Sequence, residues 1–295
     1  MGQMKNQSFW KVPSRFCREG LYQYVFWNMG SGELSAPSDP LMHVVFVRDG
    51  VANYGDIIAR AGDVLACGVN KQPMSSLCKG LSLFTIDMDF FLFYRITGIV
   101  PSLLGENSAE FLLVSNPFYQ LGQRLFTLPI HCWVDKIEEQ IEKWLGERKY
   151  YAGAQLERVA HASQVLFHNG NADLDRLSSQ FSISYRQIQR DFLAVLGVTP
   201  KEYASMLRFS SAIQELARSN LSEAALHAGY WDQSHMSRDF KRMAGITPAQ
   251  LSQNEMFNNI NKVRAGWQKS MRENYHGDQI QEWLIRENLR KIAGA

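Results

Sequence analysis

Hydrophobic positions change their spacing as the chain proceeds. Up to about Pro129 they come in short blocks rich in β-branched and aromatic residues. Leu21-Tyr22-Gln23-Tyr24-Val25-Phe26-Trp27 and His43-Val44-Val45-Phe46-Val47 are the clearest, with further blocks at Asp56 to Arg60, Val64 to Cys67 and Ser82 to Met88. Turn residues at Arg48-Asp49-Gly50, Gly62-Asp63, Gly68 and Lys79-Gly80 punctuate them. The pattern predicts an antiparallel, barrel-like or sandwich domain over residues 1–133. From Val134 the spacing lengthens to three and four. Val134, Ile137, Ile141, Trp144 and Leu145 predict one helix, and Leu156, Val159, Ala160, Ser163 and Leu166-Phe167 a second, with Gly146 and Gly153 at the join. This pair occupies 134–167, and His168-Asn169-Gly170-Asn171 ends it as a short linker.

Over residues 168–251 the helical pattern repeats itself. Arg190-Asp191-Phe192 followed by Gly197-Val198-Thr199-Pro200 returns 48 residues later as Arg238-Asp239-Phe240 followed by Gly245-Ile246-Thr247-Pro248, the mark of a duplicated helical unit. In the first copy Ile188, Phe192 and Val195 face inward, and Arg186, Gln189 and Arg190 outward. In the second, Met236, Phe240 and Met243 face inward, and Ser234, Ser237 and Arg238 outward. Ser184 and Asp232 suit N-caps, and Gly197 and Gly245 suit left-handed C-terminal residues. Thr199-Pro200-Lys201-Glu202 combines a capping box with proline at the first helical position, so a new helix starts there, and Thr247-Pro248-Ala249-Gln250 does likewise. A shorter helix precedes each outward-facing one, from Asp173 to Leu177 and from Ser222 to Leu226, the latter ending at Gly229. Short helix, tight turn and a second helix showing Arg, Gln and Ser is the helix-turn-helix arrangement, whose second helix enters a major groove. Arg reads guanine bidentately, Gln pairs with adenine, and Ser reaches bases or phosphates. The spacer from Pro200 to about Ala217, with Tyr203, Met206, Leu207, Ile213 and Leu216 on one stripe, makes a helix of roughly 27 Å. One DNA turn is roughly 34 Å, so the two units suit successive grooves.

These residues resemble the C-terminal DNA-binding domain of AraC/XylS-type bacterial transcription regulators. The match also takes in Arg208-Phe209, Ala212 and Leu216, Ala224-Ala225 through Gly229-Tyr230, Gln233-Ser234-His235 and Lys241-Arg242. The resemblance implies base-contacting positions at Arg186, Gln189 and Arg190 in the first unit. In the second it implies Gln233, Ser234 and Arg238, with Ser237 beside them. Departures are Ser178, where the family favours Ala, and Phe181 in the turn that Gly229 fills in the second copy. By the same resemblance the β-rich half is an effector-binding barrel and the helical pair a dimer contact. The expected fold is therefore α+β: a β-rich domain with a helical pair, an all-α domain of two helix-turn-helix units, and a helical extension.

That extension, 252–295, has Phe257, Ile260, Val263, Trp267, Met271 and Tyr275 at helical spacing. Beyond Gly277, Ile280, Trp283, Leu284 and Leu289 begin another helix. Two tryptophans make a free tail a poor reading, so it is expected to dock on the protein or on a second subunit.

Composition adds exclusions. The chain of 295 residues, 45% hydrophobic and 20% charged with a net charge of +2, has an ordinary globular balance. Residues 168–251 carry nine Lys/Arg against eight Asp/Glu, so affinity for DNA must lean on local Arg and Lys placement, helix N-termini and dimerisation. The four cysteines, Cys17, Cys67, Cys78 and Cys132, form no CxxC pair and read as reduced thiols of a cytoplasmic protein. No secretory signal opens the chain, and the apolar stretch from Leu81 to Phe93 is broken by Asp87 and Asp89, too short to span a bilayer. No metal, cofactor or catalytic set is expected. His43 and His131 lie far apart, and Asp87 and Asp89, two apart on a strand, are either paired carboxylates or, more commonly, a solvated edge. For an effector pocket Tyr22, Tyr24, Phe26 and Trp27 are candidates equally explained as core, so its residues stay unassigned. The leading reading is a sequence-specific transcription regulator, expected as a homodimer, that binds double-stranded DNA and is controlled by a small-molecule effector or by dimerisation through its first half. The alternative is a barrel-type small-molecule enzyme or binding module fused to a DNA-binding adaptor.

Overall fold

Seven strands open the structure: β1 (Ser8–Pro13), β2 (Leu21–Ala36), β3 (Met42–Tyr54), β4 (Ile57–Arg60), β5 (Val64–Cys67), β6 (Met74–Met88) and β7 (Ala109–Phe111). This computed structural model describes residues 8–16, 19–54, 57–104, 109–111, 116–147, 153–169, 178–179 and 181–251. All pairings are antiparallel, in the order β1-β2-β6-β3-β5-β7, with β4 on the far half of β3. The long strands β2, β3 and β6 run well beyond the blocks read from sequence. They bend at register shifts where extra residues intrude, between Asn28 and Gly32 on β2 and between Val47 and Val51 on β3. At one bend Gly50 adopts φ +80°, and a side chain there would strike the Gly80 carbonyl at 2.3 Å, so only glycine fits.

Strand side chains alternate between two faces. On one face Phe26, Phe84 and Phe46 stand in a row across β2, β6 and β3. Helices cover it: α1 (Phe90–Thr97), α2 (Pro117–Leu125) and α3 (Trp133–Glu147). Trp133 packs edge-on against Phe46 and Phe84 at 6.2 and 5.5 Å. Phe118 stacks on Phe93 and meets Trp144 edge-on at 5.1 Å. Rings so buried contribute roughly 1.5–3 kcal/mol each relative to exposure.

Helices α1 and α2 fall where the sequence pattern predicts strands alone. Phe90-Phe91-Leu92-Phe93 continues the apolar run of β6, but the Asp89 carboxylate accepts from the Leu92 amide at 2.7 Å and starts a helix there. Asp89 is thus neither a paired carboxylate nor a solvated edge. The strands β1 and β7 are likewise additions to the reading from pattern.

The remaining helices are α4 (Ala154–Asn169), α5 (Tyr185–Leu196), α6 (Pro200–Glu215), α7 (Leu221–His227), α8 (Gln233–Ala244) and α9 (Pro248–Leu251). The helix expected over Asp173 to Leu177 and the extension 252–295 lie outside the described residues. Phe192 meets Tyr203, and Phe209 meets Phe240 at 4.8 Å, so both copies anchor on α6. The helical half touches the sheet half directly. The Ser38 amide donates to the Met243 carbonyl at 2.8 Å, Ser102 Oγ to the Ala194 carbonyl at 2.6 Å, and Lys71 lies 3.9 Å from Glu202.

Two glycines separate opposing effects. Helix interiors gain about 1 kcal/mol on Gly→Ala substitution, but a Cβ at Gly122 would lie 2.4 Å from Val64 Cγ2 and 3.1 Å from Phe46. Gly122→Ala is expected to destabilise by about 1–3 kcal/mol through overpacking. Gly146→Ala, with open space around it, is expected to stabilise by up to about 1 kcal/mol. Chemical denaturation of the two variants checks the opposite signs.

Candidate nucleic-acid interface and effector cavity

Helices α5 and α8 are built by the signals visible in sequence. Ser184 and Asp232 cap them, accepting from the Gln187 and His235 amides at 3.3 and 2.6 Å, and Gly197 and Gly245 close them at φ 71° and 73°. The Thr199 and Glu202 side chains form the reciprocal box that starts α6. The Thr247 amide donates to Gln250 Oε1 at 3.0 Å in the equivalent place.

With the cores so fixed, the outward residues are where the pattern sets them. Arg186 and Arg190 are exposed on α5 and Gln189 is half-buried beside them, its amide on the Tyr185 hydroxyl at 3.1 Å. Arg190 is bonded to Gln187, one turn back. On α8 Gln233, Ser234 and Arg238 are exposed, Ser237 is half-buried, and Gln233 donates to Ser222 of α7. The residues form two groups, one per helix.

The two turns differ in a way that Phe181 hints at in the sequence. The Ile183 amide reaches back to the Ser178 carbonyl and the Tyr230 amide to the Ala225 carbonyl, so Ile183 and Tyr230 are equivalent. Yet Ser184 and Asp232 are equivalent caps. The second turn is therefore one residue longer, and the additional residue is Trp231, 91% exposed. The left-handed position is Gly229 in the second turn but Ser182, at φ 54°, in the first, a strained choice worth about 1–2 kcal/mol. Phe181 packs edge-on against His161 of α4 instead of matching that glycine. An alignment on the caps sets Trp231 against Ile183, so only the hydrogen bonds of the two turns mark it as the additional residue.

Among the described acids of this half, two are internal. Asp191 is 1% exposed and takes a two-pronged grip from Arg158 of α4, at 2.8 Å from Nε and 2.7 Å from Nη2, with Gln155 and Gln187 on its other oxygen. Asp239, its counterpart, is buried beside Arg242 at 2.8 Å. Neither lies on the outward faces that carry the arginines.

On the sheet face away from α1–α3 lies a cavity of about 170 Å³. Trp27 is in its wall, but Tyr22, Tyr24 and Phe26 are not, because alternation turns Tyr24 and Phe26 toward the helices. Tyr24 donates to Glu138 of α3 at 3.1 Å. The polar end of the cavity was not legible in sequence. Asp87, read there as a paired carboxylate or a solvated edge, is 3% exposed. One of its oxygens accepts from Gln23 at 2.8 Å and the other meets His43 Nδ1 at 2.9 Å, while Asp39 lies 3.7 Å from His43 Nε2. Burial alone would lower the His43 pKa, but the two carboxylates outweigh it and push it up to about 10. His43 is thus held as an imidazolium between acids brought from 4 and 44 residues away. Cys67, also in the wall, has its thiol pushed up to about 12 by burial, which keeps it protonated and a poor nucleophile. Among the described residues no group of three His, Cys, Asp or Glu could hold a metal ion, and no helix is long and apolar enough to cross a membrane.

A family model described as a helix-turn-helix domain matches residues 177–254. The HTH-type transcriptional activator RhaS of Escherichia coli is 33% identical over 81 residues, 27% of this chain and 29% of that protein. The virulence regulon transcriptional activator VirF of Yersinia enterocolitica is 26% identical over 152 residues, 51% of this chain and 49% of that protein. The chain thus spans between under a third and about half of the length of these curated relatives. Among solved structures, ToxT from Vibrio cholerae aligns with 83% of this chain and 96% of its own, at a TM-score of 0.47 and 10% identity.

Removing the Asp191 carboxylate strands Arg158, so Asp191→Ala is expected to cost about 3 kcal/mol of stability. Asp239→Ala should cost less, since Arg242 is nearly half exposed and stays hydrated. Urea denaturation of both variants tests the order. For His43 the folded pKa lies above the ordinary 6.5. Its stabilisation is then complete below about pH 6.5 and lost as pH rises through about 10. The denaturation midpoint should fall more between about pH 7 and about pH 10 in the wild type than in His43→Gln.

Proposed function

From a C-terminal helix-turn-helix domain of AraC type as the premise, we propose that this protein is a sequence-specific DNA-binding transcription regulator whose sheet half senses a small molecule. The observation that carries the reading is the duplication. Two capped helices of the same length, anchored by Phe192 and Phe240 on one connecting helix, each hold an exposed arginine at the same place. An exposed arginine by itself is ordinary; the same one twice, in one frame, suits paired grooves.

Arg186, Gln189 and Arg190 would meet bases in one groove, and Gln233, Ser234, Ser237 and Arg238 in the next. Trp231, at the mouth of α8, would lie against the sugar-phosphate backbone. The buried positions of Asp191 and Asp239 support this, since the near balance of charge in this half overstates the acid facing a duplex. The cavity beneath Asp87 is the proposed effector site. An occupant that prefers one arrangement of the sheet half shifts how readily the two units engage DNA together. Dimerisation through the α3–α4 pair would raise affinity on a repeated site. A regulator of this kind works in the bacterial cytoplasm as a non-enzyme, without a cofactor and away from membranes.

In-vitro selection of bound DNA from random duplexes tests the assignment with wild type, Arg190→Ala, Arg238→Ala and Trp231→Ala. Each arginine variant should lose base preference at its own positions, worth roughly 1–3 kcal/mol. Trp231→Ala should weaken binding on all sequences alike. Uniform weakening by the arginine variants would mean that they hold phosphates only.

A further inference from the structure

The cavity wall is banded along its strands. Leu83 pairs across β6 and β2 with Trp27, and with Met29 and Leu34 they make one end apolar. Thr85 follows, between Val25 and Val45 on the neighbouring strands. It is 7% exposed, and its hydroxyl has no hydrogen-bond partner among the described residues. Asp87, His43 and Asp39 form the far end. A buried hydroxyl left unpaired costs about 1–3 kcal/mol. An apolar hollow with that hydroxyl in its wall suits an occupant that fills space and supplies one polar partner.

Charge selects the partner. Among the described residues of the wall the ionised groups are two carboxylates and one imidazolium, one negative charge in excess, with no Lys or Arg beside them. Lys71, beside the wall residue Asn70, lies 3.9 Å from Glu202 of α6. A carboxylate or phosphate head would meet two aspartates, with the nearest cation already held between them. An ammonium meets acceptors there.

We propose that the cavity binds a small aromatic or apolar amine, with its ammonium at the Asp39–Asp87 end beside Thr85 and its body against Trp27 and Leu83. This rests on the reading of the cavity as the effector site. The same wall carries the signal. Asp39 and Asn70 bridge each other through their backbones at 3.2 and 3.0 Å, and both line the cavity. Ser38, between two wall residues, donates to the Met243 carbonyl in the last turn of α8, the second recognition helix. An ammonium drawn to Asp39 therefore acts one residue from the bond that seats α8.

Calorimetric titration of the full chain with tryptamine and with indole-3-propionic acid tests the class. Wild type, Asp39→Asn, Thr85→Val, Leu83→Trp and the milder Leu83→Phe are compared, with circular dichroism confirming that each is folded. Asparagine keeps the acceptor for the Leu41 amide, so Asp39→Asn removes charge without removing that turn. The expected result is tryptamine binding at least about tenfold tighter than the acid. Asp39→Asn should weaken it about tenfold, Thr85→Val should also weaken it, and the filled cavities should not bind. Equal or tighter binding of the acid, or no binding of either probe to wild type, overturns the amine assignment. The effector reading is judged separately, by DNA affinity of the filled-cavity variants: a change upholds it, and wild-type affinity in folded Leu83→Trp and Leu83→Phe overturns it.

Discussion

A strand sends successive side chains to opposite sides, and β2, β3 and β6 must satisfy both. One side is closed by aromatic rings from three helices, which fixes Phe46, Phe84 and Tyr24 as core. The other side receives the alternate residues, and no helix from that set reaches it. A hollow lined by Leu83, Thr85, Asp87, His43 and Val45 is what remains. Because the period is two, a one-residue slip would turn Phe84 and Phe46 into the hollow and carry Asp87 and His43 to the helix-covered face. The register of three strands thus decides at once where the core and the cavity lie.

That register also places the loop between β2 and β3 against the helical half. Pro37 and Asp39 belong to the cavity wall on one side, and between them the Ser38 amide meets α8 on the other. The last carbonyls of a helix lack partners within it, and Ser38 supplies one for Met243. Ser102 does the same for the Ala194 carbonyl near the end of α5. Helices α5 and α8 are therefore each seated near the C-terminal end by the sheet half, with the capped N-terminal portions turned away from those contacts. Such seats are single hydrogen bonds, each of about 1 kcal/mol, which suits an arrangement that can be shifted.

Buried acids hold the remainder. Asp191 ties α5 to α4 through Arg158, and Asp239 repeats the position beside Arg242 without the partner helix. The repeat is thus symmetric in sequence and asymmetric in attachment. The first unit is locked to α4 by an ion pair that is largely removed from water, whereas the second keeps its pair within α8 and meets the sheet half through the Ser38 contact.

What the residue pattern determined is the local build of the helical half. Caps, glycine ends, the capping boxes and the inward or outward face of each helix position depend on neighbours three or four residues away, so Arg186, Arg190, Ser234 and Arg238 could be placed on outward faces from the chain alone. The two-unit organisation followed from the repeat for the same reason. Pairings across distance were decided only by the tertiary structure. Nothing near His43 in the chain announces Asp87, 44 residues on, and nothing near Asp191 announces Arg158. Asp89 looked like its neighbour Asp87, yet one caps a helix and the other closes a cavity, because a strand ends between them. Where a side chain's partner is set by the packing of separate elements, its meaning arises only when those elements meet.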